Sequence, residues 1–399
     1  MRQATLVRTG TGAEQSPAGD SPAAAPRAKP HICFVAPYGW PVLSRDAKLG
    51  IVGGAEVQQS LLARIFRRAG YRVSMVTQDF GQPQWAEVDG VVVRKAFRQD
   101  RGLPIVRFFH PRLTSMWQAM REVDADIYYQ RSAAHWTAVV AEFARRHGKR
   151  SVYAGAQDRD FHPGRQQIHF RRDRWLFEHG LALVDRVVVQ NPRQQADVLR
   201  YYGRESTLIP SCYELPADSA PRHEELVLWV STVHDYKRPE LLIEIARRLP
   251  QRRFVMVGGS PGDDEGNAFF EKIRAAAAAL PNLEFKGFLP LREVEPWFDR
   301  ARVFVNTSAY EGVPNTFMQA WARAVPTVAT VDIGAKLGGE PVYPIFETAE
   351  EGAAEIERLL TDELHWARSS ARCREYFERS HSGAEALARY ERLFADLVS

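Results

Sequence analysis

One unit of sequence occurs twice in this chain, and that repetition restricts the fold more than any other feature. Residues 31–36 are a continuous apolar run closed by Pro37; after a long loop, Gly53-Gly54-Ala55-Glu56 opens a segment in which Val57, Leu61, Leu62, Ile65 and Phe66 recur at helical spacing until Gly70. Residues 71–77 then resume a strand pattern. A strand apolar on both faces belongs in a parallel sheet covered by helices, so the unit reads as a Rossmann-like opening. The alternation starts afresh at 226–230 (strand), 239–249 (helix), 254–257 (strand closed by Gly258-Gly259), 271–280 (helix) and 283–285 (strand closed by Gly287). The glycine fingerprint of dinucleotide enzymes, G-x-G-x-x-G directly after the first strand, is absent, which argues against a dehydrogenase.

Between these openings the pattern continues through a strand at 126–129, a helix at 135–147 and strands at 150–155 and 187–189, with Asn191-Pro192 as helix cap and first residue. Residues 30–210 are therefore expected to be one Rossmann-like domain and 224–380 a second. Residues 211–223, with Pro216 and Pro221, read as the linker. Residues 349–360 and 366–377 read as closing helices, followed by an amphipathic run at 384–397.

Composition narrows the setting. At 399 residues and 45% apolar content the chain can bury a large core, and its formal net charge of +4 is mild. The three cysteines, Cys33, Cys212 and Cys373, are odd in number and far apart, which suits a reducing compartment and neither a disulfide framework nor a zinc site. No run approaches the ~20 apolar residues of a membrane span. Residues 1–29, rich in Ala, Pro, Gly, Ser and Thr, are expected to be a disordered tail, and the protein to be cytoplasmic.

The densest chemistry lies at Tyr310-Glu311-Gly312-Val313-Pro314-Asn315-Thr316-Phe317-Met318-Gln319. Residues 302–306 form a buried-type strand before it, and Phe317, Ala320, Trp321 and Ala324 follow helical spacing after it. Pro314 suits a first helical position, which leaves the amides of Asn315 and Thr316 at the positive end of a helix dipole, where a phosphate is favoured. Glu311 lies in the turn, and Gln319 falls on the cleft side if Phe317 and Trp321 face the core. The same spacing also suits an ordinary strand–turn–helix crossover with a surface glutamate.

This stretch resembles the E-x7-E motif of the retaining family 4 glycosyltransferases, reading Glu311…Gln319. The resemblance implies the GT-B architecture: an α/β protein of two facing Rossmann-like domains, with a C-terminal helix crossing back to the first. It implies that Glu311 contacts the transferred sugar, Asn315 and Thr316 the sugar phosphate, and Gln319 the ribose. A Gln replaces the family's second acid, offering one acceptor and one donor pair where a carboxylate accepts from both ribose hydroxyls. The loop Ser231-Thr232-Val233-His234-Asp235-Tyr236-Lys237-Arg238 resembles the family's G-R-x4-K loop, whose cations neutralise the donor diphosphate. Lys237 matches; Thr232 replaces the Arg, and Arg238 or a basic residue of the opposite domain is the substitute cation. Gly53 and Gly54 match a GGxE-like loop beside donor phosphate and acceptor. Gly287-Phe288-Leu289 is similar to the loop that meets the nucleotide base.

Two D-x-D pairs, Asp158-Arg159-Asp160 and Asp124-Ala125-Asp126, have the letters of a metal signature, with loop caps as the alternative. Asp158 is a candidate contact for the transferred sugar or the acceptor. Residues 94–112 hold six basic residues and one acid, interleaved with Phe97, Phe108 and Phe109; Arg165, Arg171, Arg172 and Arg174 surround Phe170 and Trp175. Both runs suit a solvated face, or an anionic membrane surface carrying a lipid-linked acceptor. Nucleic acid is not expected as a partner.

The resulting expectation is a metal-independent, retaining transfer of a hexose from a nucleotide sugar, UDP- and GDP-sugars not distinguished, to a glycan or lipid-linked acceptor, in polysaccharide or glycoconjugate synthesis. No cofactor is expected. Placement is cytoplasmic, peripheral on the inner face of the plasma membrane. Glu311, Lys237 and Asp158 are the candidate catalytic residues. Donor binding falls to Gly53, Gly54, Thr232, Lys237, Arg238, Phe288, Glu311, Asn315, Thr316 and Gln319. A non-catalytic nucleotide-sugar or glycan-binding protein and a sugar-nucleotide isomerase on the same architecture are the alternatives.

Overall fold

The computed structural model describes residues 29–46, 53–100, 102, 107–262 and 264–398. Most of the expected tail, residues 1–28, and part of the first basic run, Arg101 and 103–106, lie outside the described residues. Lys29, placed in the tail by the sequence, is held by its ammonium 2.9 Å from Glu391.

The first sheet is built from β1 (Ile32–Val35), β2 (Val73–Thr77), β3 (Trp85–Val88), β4 (Val91–Lys95), β5 (Ile127–Arg131), β6 (Arg150–Ala154), β7 (Arg186–Val189) and β8 (Thr207–Leu208). Its order is β3-β4-β2-β1-β5-β6-β7-β8, parallel except for the β3–β4 hairpin. The connecting helices are α1 (Gly39–Ser44), α2 (Gly54–Arg68), α3 (Thr114–Val123), α4 (Trp136–Arg146), α5 (Arg171–Leu183) and α6 (Pro192–Tyr202). β1 is wholly buried because helices cover both faces of the sheet, as its unbroken apolar run requires. The short helix α1 interrupts what the sequence presents as one long loop.

The second sheet repeats the plan with β9 (Leu226–Val230), α7 (Pro239–Arg248), β10 (Arg253–Val257), α8 (Asp264–Ala278), β11 (Leu283–Phe285), α9 (Leu291–Arg300), β12 (Val303–Asn306), α10 (Asn315–Trp321) and β13 (Thr327–Ala329), in strand order β11-β10-β9-β12-β13. A small ribbon, β14 (Lys336–Leu337) with β15 (Glu340–Pro341), precedes α11 (Ala349–Thr361), α12 (Glu363–Ser380) and α13 (Gly383–Val398).

Helix α13 returns to the first domain. Tyr390 and Phe394, each 1% exposed, pack on Phe66 at ring distances of 5.6 and 5.5 Å, and the Tyr390 and Tyr129 hydroxyls lie 3.0 Å apart. Each buried aromatic contributes about 1.5–3 kcal/mol to this union. The two chain crossings between domains are tied together: Tyr213 N–H donates to the His381 carbonyl at 2.9 Å, and the His381 ring meets the Ser211 carbonyl at 2.7 Å. Burial lowers the His381 imidazole to about 4, so it is neutral at physiological pH and donates from Nδ1.

Both sheets have a place where the strand order reverses. In the second, β9 leads to β10 and β11 on one side, and the chain then returns to β12 on the other, so the reversal lies between the carboxyl ends of β9 and β12. In the first it lies between β1 and β5. Ligands of open parallel sheets bind in the crevice at such a point.

Candidate active site

Lys237 follows β9 and Glu311 follows β12, so the two flank the second domain's reversal point. The Lys237 ammonium and the Glu311 carboxylate are in contact, with side chains 13% and 14% exposed. Ser308 Oγ donates to the same carboxylate at 2.7 Å.

The loops carrying this pair are fastened to each other. Thr307 is fully buried; its hydroxyl accepts from Trp229 Nε1 at 2.9 Å and donates to the Lys237 carbonyl at 2.6 Å. Arg238, in the left-handed region at φ 47°, donates from Nε to the Thr307 carbonyl at 2.7 Å. Ala309 N–H reaches the Tyr236 carbonyl at 2.7 Å, and the Tyr236 and Tyr310 rings stack at 4.9 Å. Such support fixes both charged groups more closely than two free loops could.

α10 begins one residue later than the sequence suggests. Pro314, expected as first helical residue, is extended at ψ 137° and stands as the cap, so Asn315 and Thr316 take the first two helical positions, whose amides have no partner within the helix. The helix also ends at Trp321; Ala324, expected to continue it, lies at φ 57°.

Gly53 and Gly54 open α2 on the opposite wall. A Cβ added to Gly54 would lie 3.6 Å from Asn315 Nδ2. One turn on, Gln58 Nε2 donates to the Cys212 carbonyl at 2.8 Å and lies 3.4 Å from Asn315 Oδ1. The glycine loop of the first domain and the α10 start of the second therefore meet. Burial and the Glu311 carboxylate raise the Tyr236 phenol, and the Arg159 charge of the first domain opposes them.

Other expected residues lie differently. Gln319, read as cleft-facing, is 5% exposed and donates Nε2 to Glu295 Oε1 at 3.0 Å. Its side chain thus faces α9, which carries Glu295, while α12 covers another side of α10 with Tyr376 against Trp321 at a ring distance of 5.4 Å; residues 317–321 are all buried. Glu295 also accepts from Arg323 and from the Tyr213 hydroxyl, both at 2.7 Å. Asp158 accepts from Gln194 at 2.9 Å and Asn191 at 3.2 Å, beside the first domain's cleft edge. Thr232 is exposed on the β9 loop, and Phe288 is 74% exposed, packed over Gly259.

The D-x-D acids are engaged by the fold. Asp160 is fully buried and accepts from the Ala156 amide at 2.7 Å; Asp124 pairs with Lys149 at 2.7 Å, and Asp126 accepts from the His31 amide at 2.8 Å. The first basic run is also less open than it reads: Arg94 is 5% exposed and bonded to Glu122 at 2.7 Å, and Lys95 lies 3.4 Å from Asp79. Sequence reasoning missed Gln58, Glu295 and Arg323. Gln58 was within reach, one turn beyond the glycine pair, whereas Glu295 and Arg323 meet Gln319 through tertiary packing.

Known proteins are similar to this chain in sequence and fold. The profile described as Glycosyltransferase Family 4 matches residues 52–215, and that described as Glycosyl transferases group 1 matches residues 224–362. The chain belongs to the family 4, group 1 glycosyltransferases. This glycosyltransferase is 24% identical to the mannosylfructose-phosphate synthase of Agrobacterium fabrum, over 76% of its own length and 77% of the relative's. It is also 24% identical to the D-inositol 3-phosphate glycosyltransferase of Corynebacterium aurimucosum, over 56% of its length and 54% of that protein's. Its fold matches the sucrose-phosphate synthase of Thermosynechococcus elongatus with a TM-score of 0.68 at 18% identity, covering 93% and 99% of the two chains. It matches Anabaena HepE, solved with UDP and glucose, with a TM-score of 0.62 at 16% identity, covering 92% and 100%. The architecture is GT-B. Among the described residues, no helix is long and apolar enough to cross a membrane.

Proposed function

We propose that this glycosyltransferase moves a hexose from a nucleotide sugar to a glycan or lipid-linked acceptor with retention of anomeric configuration and without a divalent ion. The observation that carries the reading is the contact of Lys237 with Glu311 at the reversal point of the second sheet, opposite Gly54. In this account Lys237 exchanges the Glu311 carboxylate for the donor diphosphate, and Glu311 turns to the hydroxyls of the transferred sugar. Arg238 supplies a second cation through its Nη atoms, its Nε being held by Thr307. The amides of Asn315 and Thr316 meet the sugar phosphate. Gln319 is left out of the ribose contact, because it is buried and its nitrogen serves Glu295. Phe288, exposed at the end of β11, is assigned to the base.

The acceptor is assigned to the first domain, near Asp158 and the Gly53–Gly54 loop. The bond from the anomeric carbon to the diphosphate oxygen breaks as the bond to the acceptor oxygen forms on the same face, and the acceptor proton passes to the departing diphosphate. Fixed donors aimed at that developing charge are the term that usually contributes most to such a barrier. Solved structures of similar fold hold UDP or ADP, so the base is left to experiment. The exposed Phe170 and Trp175, beside Arg165 and Arg171, would be the face turned to an anionic membrane bearing a lipid-linked acceptor.

A thermal-shift screen of UDP-, GDP- and ADP-hexoses, followed by NMR of the product made with each stabilising donor, tests the reading. The expected result is stabilisation by one donor class and a product with the donor's anomeric configuration, unaffected by a chelator. An inverted product, or activity lost to the chelator and restored by manganese, would contradict it.

A further inference from the structure

Gln58 is a polar side chain where packing alone would favour an apolar one. It sits one turn beyond Gly54 in α2 and is 3% exposed. Its Oε1 accepts from the Cys212 N–H at 3.0 Å and its Nε2 donates to the Cys212 carbonyl at 2.8 Å, so the backbone of one linker residue holds both ends of the amide. A backbone donor and a backbone acceptor cannot exchange roles, which leaves Gln58 a single orientation. Nε2 carries a second hydrogen, and Asn315 Oδ1 lies 3.4 Å from it across the domain boundary.

Cys212 is itself fixed. It is buried between Ser211, whose hydroxyl donates to Gln190 Oε1 at 2.6 Å and accepts from Arg131 at 3.0 Å, and Tyr213, whose N–H is held by the His381 carbonyl. The linker therefore imposes a polarity on Gln58, and Gln58 imposes one on Asn315. With Oδ1 turned to Gln58, the nitrogen of Asn315 is the end that faces the glycine loop, 3.6 Å from where a Cβ at Gly54 would stand. Among the described residues that nitrogen has no acceptor, and Asn315 is half-buried at the first position of α10. An asparagine amide without such a neighbour can present either end, because its oxygen and nitrogen differ little in size. Here the first domain selects the nitrogen.

We propose that Gln58 is a positioning residue for the donor: it turns the Asn315 amide so that Nδ2 donates to the sugar-bearing phosphate, the second of the donor diphosphate. An amide nitrogen gives an anionic oxygen a charge-assisted hydrogen bond, whereas an amide oxygen in its place repels it. Gln58 acts through Asn315 and not on the substrate. The assignment rests on the donor-site reading of α10 and deepens it, because the phosphate contact then needs a side chain of the first domain.

The test uses the full chain with Gln58→Ala, Gln58→Glu and Asn315→Ala, and with each Gln58 change combined with Asn315→Ala. Calorimetry gives the affinities for UDP and UMP, GDP and GMP, and ADP and AMP, and the melting curve of each variant is recorded. The quantity read is the gain in affinity from monophosphate to diphosphate, which isolates the second phosphate. That gain is expected to fall about tenfold in Asn315→Ala and in Gln58→Ala, and further in Gln58→Glu, whose carboxylate accepts from Nδ2 and turns Oδ1 to the phosphate. Monophosphate affinity should stay within about twofold, and in the Asn315→Ala background either Gln58 change should lower the gain by less than about threefold more. Gln58→Ala buries no charge and decides the matter if Gln58→Glu does not fold. A gain unchanged in a cooperatively melting Gln58→Ala, or a Gln58 loss of the same size with and without Asn315, overturns the proposal. A gain unchanged by Asn315→Ala overturns it as well, and nucleotide binding retained there leaves the glycosyltransferase reading standing. A wild type that binds none of the six nucleotides removes that reading and the proposal with it.

Discussion

Gln319 donates its side-chain amide to Glu295 at 3.0 Å, and this contact suits a neutral residue at 319. Glu295 is 9% exposed and already neutralised by Arg323, so a carboxylate at 319 would face it without a cation to spare. Gln319→Glu is expected to destabilise the protein by roughly 2–4 kcal/mol, from the lost hydrogen bond and the like-charge contact. Glu295→Gln in the same chain should restore most of the loss, and urea denaturation of the two single variants and the double variant provides the check. Additive losses would show that the two side chains do not act on each other.

Gly54 is where the domains approach each other at the site. A methyl at 54 stays 3.6 Å from Asn315 Nδ2, ordinary contact, but a branched side chain would reach into the same space. Gly54→Ala should therefore keep most of the transfer activity and Gly54→Val should lose about tenfold or more, from misplacement of the facing loops. Steady-state kinetics beside thermal melts would separate this from unfolding. Equal activity in the two variants would mean that the close approach has no bearing on turnover.

The fold was legible because its main signals are local. The apolar runs at β1, β10 and β11, and the proline and glycines that close them, carry strand and turn in adjacent residues. Lys237 and Glu311 were legible for the same reason, each sitting just past a buried strand. What could not be read is what distant segments decide. The burial of Gln319 depends on α9, which brings Glu295 against it, and the containment of Arg94 depends on Glu122 in α3.

Asp160 gives the protein a pH dependence of its own. Burial pushes its carboxyl up to about 6, against the pull of the Ala156 and Gln157 amides. The folded state thus holds this proton more tightly than the unfolded chain. The stabilising share is complete below the unfolded value near 4 and is lost as pH rises through about 6, by a total on the order of 3 kcal/mol. His381 acts in the opposite sense, because burial lowers it to about 4 and its share is lost as pH falls toward that value. Comparison with Asp160→Asn isolates the acid: the variant's advantage over wild type should grow between pH 4 and 7 and then level off. A difference that does not change with pH would show that Asp160 is not held protonated by its surroundings.

The central claim is that Glu311 and Lys237 form one donor-handling unit, and single-turnover transfer by Glu311→Ala tests it most directly, measured with the donor that stabilises the wild type. The account predicts a rate lower by about a thousandfold or more, in a protein that still melts cooperatively and still binds the free nucleotide. Transfer at the wild-type rate by that variant would contradict it.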